Sequence, residues 1–253
     1  MAHIKVKTAK EIELIRDAGA LAAETLIKAG ELCKPGVATV EIDDFIGDYT
    51  KKQGGTSACL GYYGYPRQAC ISINEVVCHG IPDSKTILKD GDIVNIDITT
   101  ILSGYHGDTS MMFLVGNVSK NARELVSTTK LCMEEGIRVC GLPNAHYSDI
   151  GNVIQDIADE HGYGVVEDYC GHGIGRGFHE EPNVYPFRFN GHTPRIEEGH
   201  VFTVEPMINE GKPGVKVLGD KWTVVTKDGS LSAQWEHTIA LTRNGIEILT
   251  LPR

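Results

Sequence analysis

The chain of 253 residues is 41% hydrophobic and carries a formal net charge of −10. That length and apolar content suit one large globular domain or two small ones with a substantial core, and the acidic balance argues against long-range attraction to nucleic acid or to an anionic membrane. Its seven cysteines form an odd set without C-x-x-C spacing, scattered among apolar residues, which points to reduced thiols and a cytoplasmic setting.

In chain order, the stretch from Met1 to Lys7 lacks the apolar centre of a secretory leader, and no later run approaches the roughly 20 apolar residues of a membrane span. Thr8 opens a helix: Glu11 completes a capping box, Ile12, Ile15, Ala22 and Leu26 follow near helical spacing, and Lys34-Pro35-Gly36 ends it. A second helix is expected from about Thr39 to Lys52, stopped by Gly54-Gly55. Asp92 to Ile101 alternates as a strand, Leu102 to Gly107 reads as a turn, and Asp108 to Val115 returns. After Ser119 a long amphipathic pattern runs to about Val139; Gly141-Leu142-Pro143 breaks it, and a shorter helix opens at Ser148 and closes at Gly162. Val201 to Ile208 and Gln234 to Leu241 read as strands, and Trp222 to Val225, ahead of the Asp228-Gly229 turn, as part of a hairpin.

A shift of 108 positions lays Pro35 on Pro143, Ile42 on Ile150, Ile46 on Ile154 and Gly54 on Gly162. Because the punctuating proline and glycine align along with the apolar positions, the sequence reads as a duplicated α+β unit, with halves of about 1–118 and 119–253.

Four carboxylates sit where strands usually exclude them. Asp97 lies between Ile96 and Ile98, Asp108 opens the returning strand, and Glu205 and Glu236 occupy comparable β-rich, apolar settings. Any one alone is more simply a polar residue facing water from a half-exposed strand. Together with a histidine in a glycine loop they match the donors of a dinuclear site held by oxygen and imidazole, and two dications would neutralise four carboxylates whose burial is otherwise prohibitive. Cysteine is absent from the set, which disfavours a structural zinc site. The glycine loop runs from Cys170 to Pro182, with glycines at 171, 173, 175 and 177 in strict alternation. No register therefore supplies the G-x-G-x-x-G of a dinucleotide site, and the P-loop lysine and hydroxyl are missing. What remains is a backbone free to approach something closely, carrying imidazoles. Taken singly, His79 beside a Gly-Ile-Pro turn is more often structural, and the cluster Tyr62-Tyr63-Gly64-Tyr65 is more often packing.

The succession of Asp97, Asp108, His172 in G-H-G-I-G, Glu205 in T-V-E-P and Glu236 in W-E-H-T closely resembles type I methionine aminopeptidase. The resemblance runs nearly end to end, through the segments Val77 to Pro82, Asp90 to Asp97 and Tyr105 to Thr109. It implies an α+β pita-bread fold, in which two pseudo-symmetric halves form a single catalytic domain whose curved antiparallel sheet is covered by helices and holds a metal pair at the seam. The activity implied is removal of the N-terminal methionine from nascent proteins and peptides whose second residue is small, by a metal-bridged water or hydroxide.

In the terms of that resemblance, Asp97 holds one of two divalent ions (cobalt, manganese, iron or zinc), Asp108 and Glu236 bridge both, and His172 with Glu205 completes the other. Glu205 also moves protons between attacking water and departing amine. His179 stabilises the oxyanion developing on the scissile carbonyl, and His79 contacts substrate near the scissile amide. Cys59, Tyr62, Tyr65, Cys70, Phe178 and Trp222 line a slot for the methionine thioether. A monovalent cation is implied near Asn74, Val76 and Ser232. Expected partners are the N-termini of nascent polypeptides, met at the ribosome, with no direct nucleic-acid readout, no membrane association and a monomeric state. The opening Met1-Ala2 makes the chain's own terminus a substrate of the implied kind. His106, His146, His161, His192, His200 and His237 are expected in surface or packing roles, and Glu180, Glu181 and Pro182 outside catalysis. Prolidase and aminopeptidase P share the metal set, but they usually carry a large N-terminal domain where this chain starts almost directly at its first helix. A pita-bread module serving only as a binding surface would have lost ligands that are all present here.

Overall fold

The computed structural model describes residues 4–253. The leader reading in part, and the Met1-Ala2 self-substrate reading entirely, therefore lie outside the described residues. The Thr8 hydroxyl accepts the Glu11 amide while the Glu11 carboxylate accepts the Thr8 amide, and helix α1 (Ala9–Gly30) follows from that box. Helix α2 (Thr39–Lys52) leads into the short strand β1 (Thr56–Ser57), then β2 (Cys70–Ile73) and β3 (Val76–Cys78). Strands β4 (Ile93–Leu102) and β5 (Tyr105–Leu114) form a ten-residue hairpin. Helices α3 (Lys120–Cys140) and α4 (Tyr147–His161) come next, and then β6 (Gly164–Val165), β7 (Gly171–Gly173) and β8 (Glu180–Val184). The rest is β: β9 (Val201–Val204), β10 (Met207–Asn209), β11 (Val215–Val217), β12 (Val224–Thr226), β13 (Ser232–Gln234), β14 (Glu236–Thr242) and β15 (Gly245–Ile248).

The principal sheet is antiparallel and curved, in the order β1-β4-β5-β14-β9-β7-β8, with β2 also on β4 and β15 also on β14. Two three-stranded sheets, β13-β10-β6 and β11-β12-β3, flank it. The two-residue alternation of β4 sends Val94, Ile96 and Ile98 to one face, where they meet Ala22 and Leu26 of α1 and Ile42 and Ile46 of α2. Farther along the sheet, Leu125 and Met133 of α3 and Ile150 and Ile154 of α4 pack against Phe202, Val204 and Ile239. Each such side chain contributes roughly 1.5–3 kcal/mol on burial, so these two cores, far more than surface ion pairs, hold the helices on the sheet. Asn95, Asp97 and Thr99 are thereby left to the opposite face.

The sequence reading is corrected at four points. The β4–β5 turn is only Ser103-Gly104, both left-handed (φ 52° and 77°), and Gly107 belongs to β5. Gly107 is glycine because α1 lies against it: a Cβ there would stand 2.2 Å from the Gly19 nitrogen. The strand expected over 201–208 breaks at Pro206, which has no amide to donate, so β9 and β10 enter different sheets; the strand expected over 234–241 breaks likewise at Trp235. Strand β12 pairs with β11 and β3, not across the Asp228-Gly229 turn, because β13 is taken by β10. Finally, α4 opens at Tyr147 with the Asp149 carboxylate accepting the His146 amide, while Ser148 donates its amide to Thr193.

Candidate metal centre and substrate cavity

Register places the carboxylates before any side-chain geometry is considered. Asp97 of β4 and Glu236 of β14 both stand opposite Ser110, from the two sides of β5, and Asp108 lies two residues from Ser110 on that same strand. Residues opposite one another share a face, as do residues two apart, so the three acids converge. Their oxygens all lie within 4.8 Å of one another. Glu205 follows directly on β9 at the Pro206 break, and His172 sits in β7. The imidazole Nε2 is 3.6 Å from Asp108 Oδ2 and 3.7 Å from Glu205 Oε1. All five predicted donors are brought together.

Hydroxyls and a carboxamide orient them. Thr99 donates to Asp108 Oδ1 at 2.8 Å, Thr203 donates to Glu205 Oε1 at 2.6 Å, and Gln234 Nε2 donates to Glu205 Oε2 at 3.3 Å. Thr203 also accepts the His172 amide at 3.0 Å. Glu236 Oε1 is buried without any hydrogen-bond partner. Burial, reinforced by the neighbouring acids, pushes the carboxyls of Asp97 and Glu236 well above the ordinary range, and burial likewise pushes Glu205 up to about 7. Burial opposes charge on His172, but its contact with Asp108 and the carboxylate of Glu205 outweigh it and raise that pKa. Four acids packed this closely, one with an orphaned oxygen, fit divalent cations: oxygen and imidazole donors with no thiolate among them, and more carboxylates than the single imidazole of His172 can neutralise.

The donors form the floor of a cavity of about 320 Å³. Cys59, Tyr65 and Cys70 cluster on one wall with Phe178 and Trp222 packed against them. Tyr65 turns its hydroxyl away, donating to the carbonyls of Ala69 and Gly80, so its ring presents only apolar surface. Tyr62 packs against Phe178 with the rings tilted and their centres 4.7 Å apart, and hydrogen-bonds His179 Nδ1 at 2.8 Å. His179 lies 4.1 Å from His172, ring to ring; burial first and that neighbour second lower its pKa to about 4. His79 has a left-handed backbone (φ 56°), its ring meets Tyr169 and Trp222 edge to face, and burial lowers its pKa. Both histidines therefore border the cavity as neutral imidazoles. In the glycine loop, close approach is the reason for glycine: a Cβ on Gly173 would fall 2.2 Å from the Glu181 carbonyl oxygen.

Sequence reasoning missed Thr99 and Thr203. Each stands two residues from an acid on the same strand, and the period of two could have shown it. It also missed Asp168, Tyr169, Cys170 and Met207, which line the cavity beyond His79 and carry no comparable signal. Ser232 donates its amide to the Asn74 carbonyl, and Val76 opens β3 beside them, so the three positions named for a monovalent cation are neighbours.

The sequence profile of metallopeptidase family M24 matches residues 13–243. The chain belongs to metallopeptidase family M24. Within that family it is 51% identical over 249 residues to a methionine aminopeptidase of Escherichia coli (strain K12), covering 98% of this chain and 94% of the relative. A crystal structure of methionine aminopeptidase from Rickettsia prowazekii superimposes with a TM-score of 0.95 at 47% identity, covering 98% of this chain and all of that one. A prolidase from Pyrococcus furiosus shares the fold alone, with a TM-score of 0.76 at 24% identity, this chain covering 66% of its length. The M24 assignment carries divalent-metal use, and the acid cluster is where this chain can accommodate it. Among the described residues, no helix is long and apolar enough to cross a membrane, and none of the seven cysteines is in a disulfide.

Proposed function

We propose that the chain is a metal-dependent aminopeptidase that removes N-terminal methionine from polypeptides whose second residue is small. The observation that supports this most is the meeting of the M24 donor set with a closed apolar slot of two thiols and three aromatic rings on one side of it. An unbranched thioether suits soft, polarizable walls of that kind. Asp97, Asp108, His172, Glu205 and Glu236 would hold two divalent ions, cobalt, manganese, iron or zinc. When bound, the ions supply Lewis-acid activation of water and carbonyl.

The remaining work falls to this chain's own side chains. Cys59, Tyr62, Tyr65, Cys70, Phe178 and Trp222 seat the methionine. Glu205, with a carboxyl pKa near 7 before metal enters, accepts a proton from water and returns it to the leaving amine. Tyr62 hydrogen-bonds His179 Nδ1 at 2.8 Å; with the phenol as donor, the ring proton sits on Nε2, from which it meets the scissile carbonyl oxygen. His79 steadies the scissile amide from the side of Tyr169. Asn74, Val76 and Ser232 would hold a monovalent cation.

The chain acts as a single catalytic unit of two pseudo-symmetric halves, about 1–118 and 119–253. Support comes from the elements: α2 and α4 begin 108 residues apart, β4 and β9 begin 108 apart, and Asp97 on β4 and Glu205 just after β9 are separated by the same 108. The substrates are nascent chains in the cytoplasm, approached at the ribosome by a monomer.

A digest of Met-Ala-Ser, Leu-Ala-Ser, Met-Leu-Ser and Leu-Pro-Ser peptides, with and without chelator, tests the reading. Chelator-sensitive release from the first alone is expected. Strong cleavage before proline would move the activity to the prolidase branch of the fold.

A further inference from the structure

Outside the cavity, beyond Tyr62, the backbone from Leu60 to Gly64 makes a tight turn that is left-handed at Gly61 (φ 83°), Tyr63 (φ 45°, ψ 27°) and Gly64 (φ 86°). Glycine adopts that conformation freely; tyrosine is disfavoured in it. A Cβ on either glycine would meet nothing within 4 Å, so the turn stands clear of the body. Tyr63 gains little packing that offsets its backbone: it is 87% exposed and meets Tyr62 edge to face, with 4.7 Å between ring centres. Leu60 beside it is 51% exposed. A bulky ring held outward in an unfavourable conformation, next to an exposed leucine, is an apolar surface with no internal partner.

We infer that this turn is a docking lip for the substrate polypeptide downstream of the cut, and that Tyr63 determines a preference at the third and fourth substrate residues. The inference rests on the aminopeptidase reading above. If only the first residue enters the slot, everything after it has to leave across the rim. His179 stands at the scissile carbonyl in that reading, Tyr62 bonds it at 2.8 Å, and Tyr63 lies one ring farther out. Tyr62 lies 5.3 Å from His179 and Tyr63 a further 4.7 Å out, ring to ring, and an extended peptide advances about 3.5 Å per residue, so its third and fourth residues arrive at that depth. The surface continues the wall of the site, and its chemistry selects aromatic or other apolar side chains over small polar ones.

The experiment measures kcat/KM of the metal-loaded enzyme on Met-Ala-Phe-Gly-amide and Met-Ala-Ser-Gly-amide, for wild type, Tyr63→Phe and Tyr63→Asn. Asparagine tolerates the left-handed backbone, and methionine release from the serine peptide reports that the variant is folded. The wild type is expected to favour the phenylalanine peptide by about fivefold, carried in KM, as one aromatic contact supports. Tyr63→Phe keeps that ratio and Tyr63→Asn brings it close to one. A wild type without preference, or a preference that survives Tyr63→Asn, overturns the inference. So does a change from dimer to monomer in Tyr63→Asn with the ratio unmoved, which would give the surface to a second copy of the chain. Failure to release methionine from either peptide would instead overturn the aminopeptidase reading, and the lip with it.

Discussion

Lys7 Nζ lies 2.5 Å from Glu180 Oε2, across 173 residues of chain, with 6% of each side chain exposed. The other oxygen of Glu180 accepts the Gly177 amide at 2.8 Å, so the pair ties the N-terminal segment to the loop that carries His179. Glu180→Gln leaves a buried ammonium without its counter-ion, at a cost of about 3 kcal/mol. In a domain of this size that lowers the melting temperature by roughly 6–12 °C, whereas the exposed neighbour Glu181→Gln is expected to shift it by less than about 2 °C. Burial raises the Glu180 carboxyl, but the Lys7 and Gly177 contacts outweigh it and hold the pKa below its ordinary 4.5. The pair's contribution is therefore present above that value and fades as pH falls below it, so melting curves of wild type and Glu180→Gln should draw together in acid.

The acid cluster has the opposite sign. With Glu205 raised from 4.5 to about 7, and Asp97 and Glu236 raised well above their ordinary range, the metal-free fold binds protons that the unfolded chain has released. Its stability should fall as pH rises from about 4.5 through 7 and beyond. Bound dications keep the carboxylates ionised, which removes that slope and adds about 2.7 kcal/mol at a hundredfold excess over Kd. Metal uptake should release protons, read as a buffer-dependent enthalpy in titration calorimetry at pH 7. An enthalpy identical in buffers of different ionisation heat would contradict the raised carboxyls.

The bond between Tyr62 and His179 is expected to set the imidazole tautomer. Tyr62→Phe should lower kcat about tenfold, and His179→Ala about 10² to 10³-fold, with metal content unchanged in both. Because the His179 pKa lies near 4, its ring is neutral at pH 7, and kcat/KM should show no limb near 6.5 that His179→Gln abolishes.

Thr99 and Thr203 orient two of the proposed ligands, Asp108 and Glu205. Thr99→Val, which deletes the hydroxyl bonded to Asp108, is expected to weaken metal affinity about 10- to 100-fold while preserving the fold, and Thr203→Val to do the same through Glu205. Competition with a chromophoric chelator measures both.

These threonines also show how far the sequence could be read. The four helices were legible because capping residues, apolar spacing and glycine stops are local, the four acids because carboxylates in apolar strands are out of place, and His172 because it sits in a loop of alternating glycines. Tertiary contacts decided the rest. Gly107 looked like a turn until α1 was found against it, and Pro206 split a strand whose two parts belong to different sheets. Lys7 and Glu180 could not be paired from sequence, since nothing in either segment names the other. Tyr169 and Met207 reach the cavity only through the packing of β10 and the loop ahead of β7.

Elemental analysis of protein dialysed against a buffered dication, for wild type and for alanine variants of Asp97, Asp108, His172, Glu205, Glu236, His79 and His179, bears most directly on the metal pair. Two equivalents are expected in wild type and in both variants of the non-ligand histidines, and fewer in each of the other five, with the largest loss at Asp108 and Glu236. Retention of both equivalents after Asp108→Ala or Glu236→Ala would show that these acids do not hold the metals.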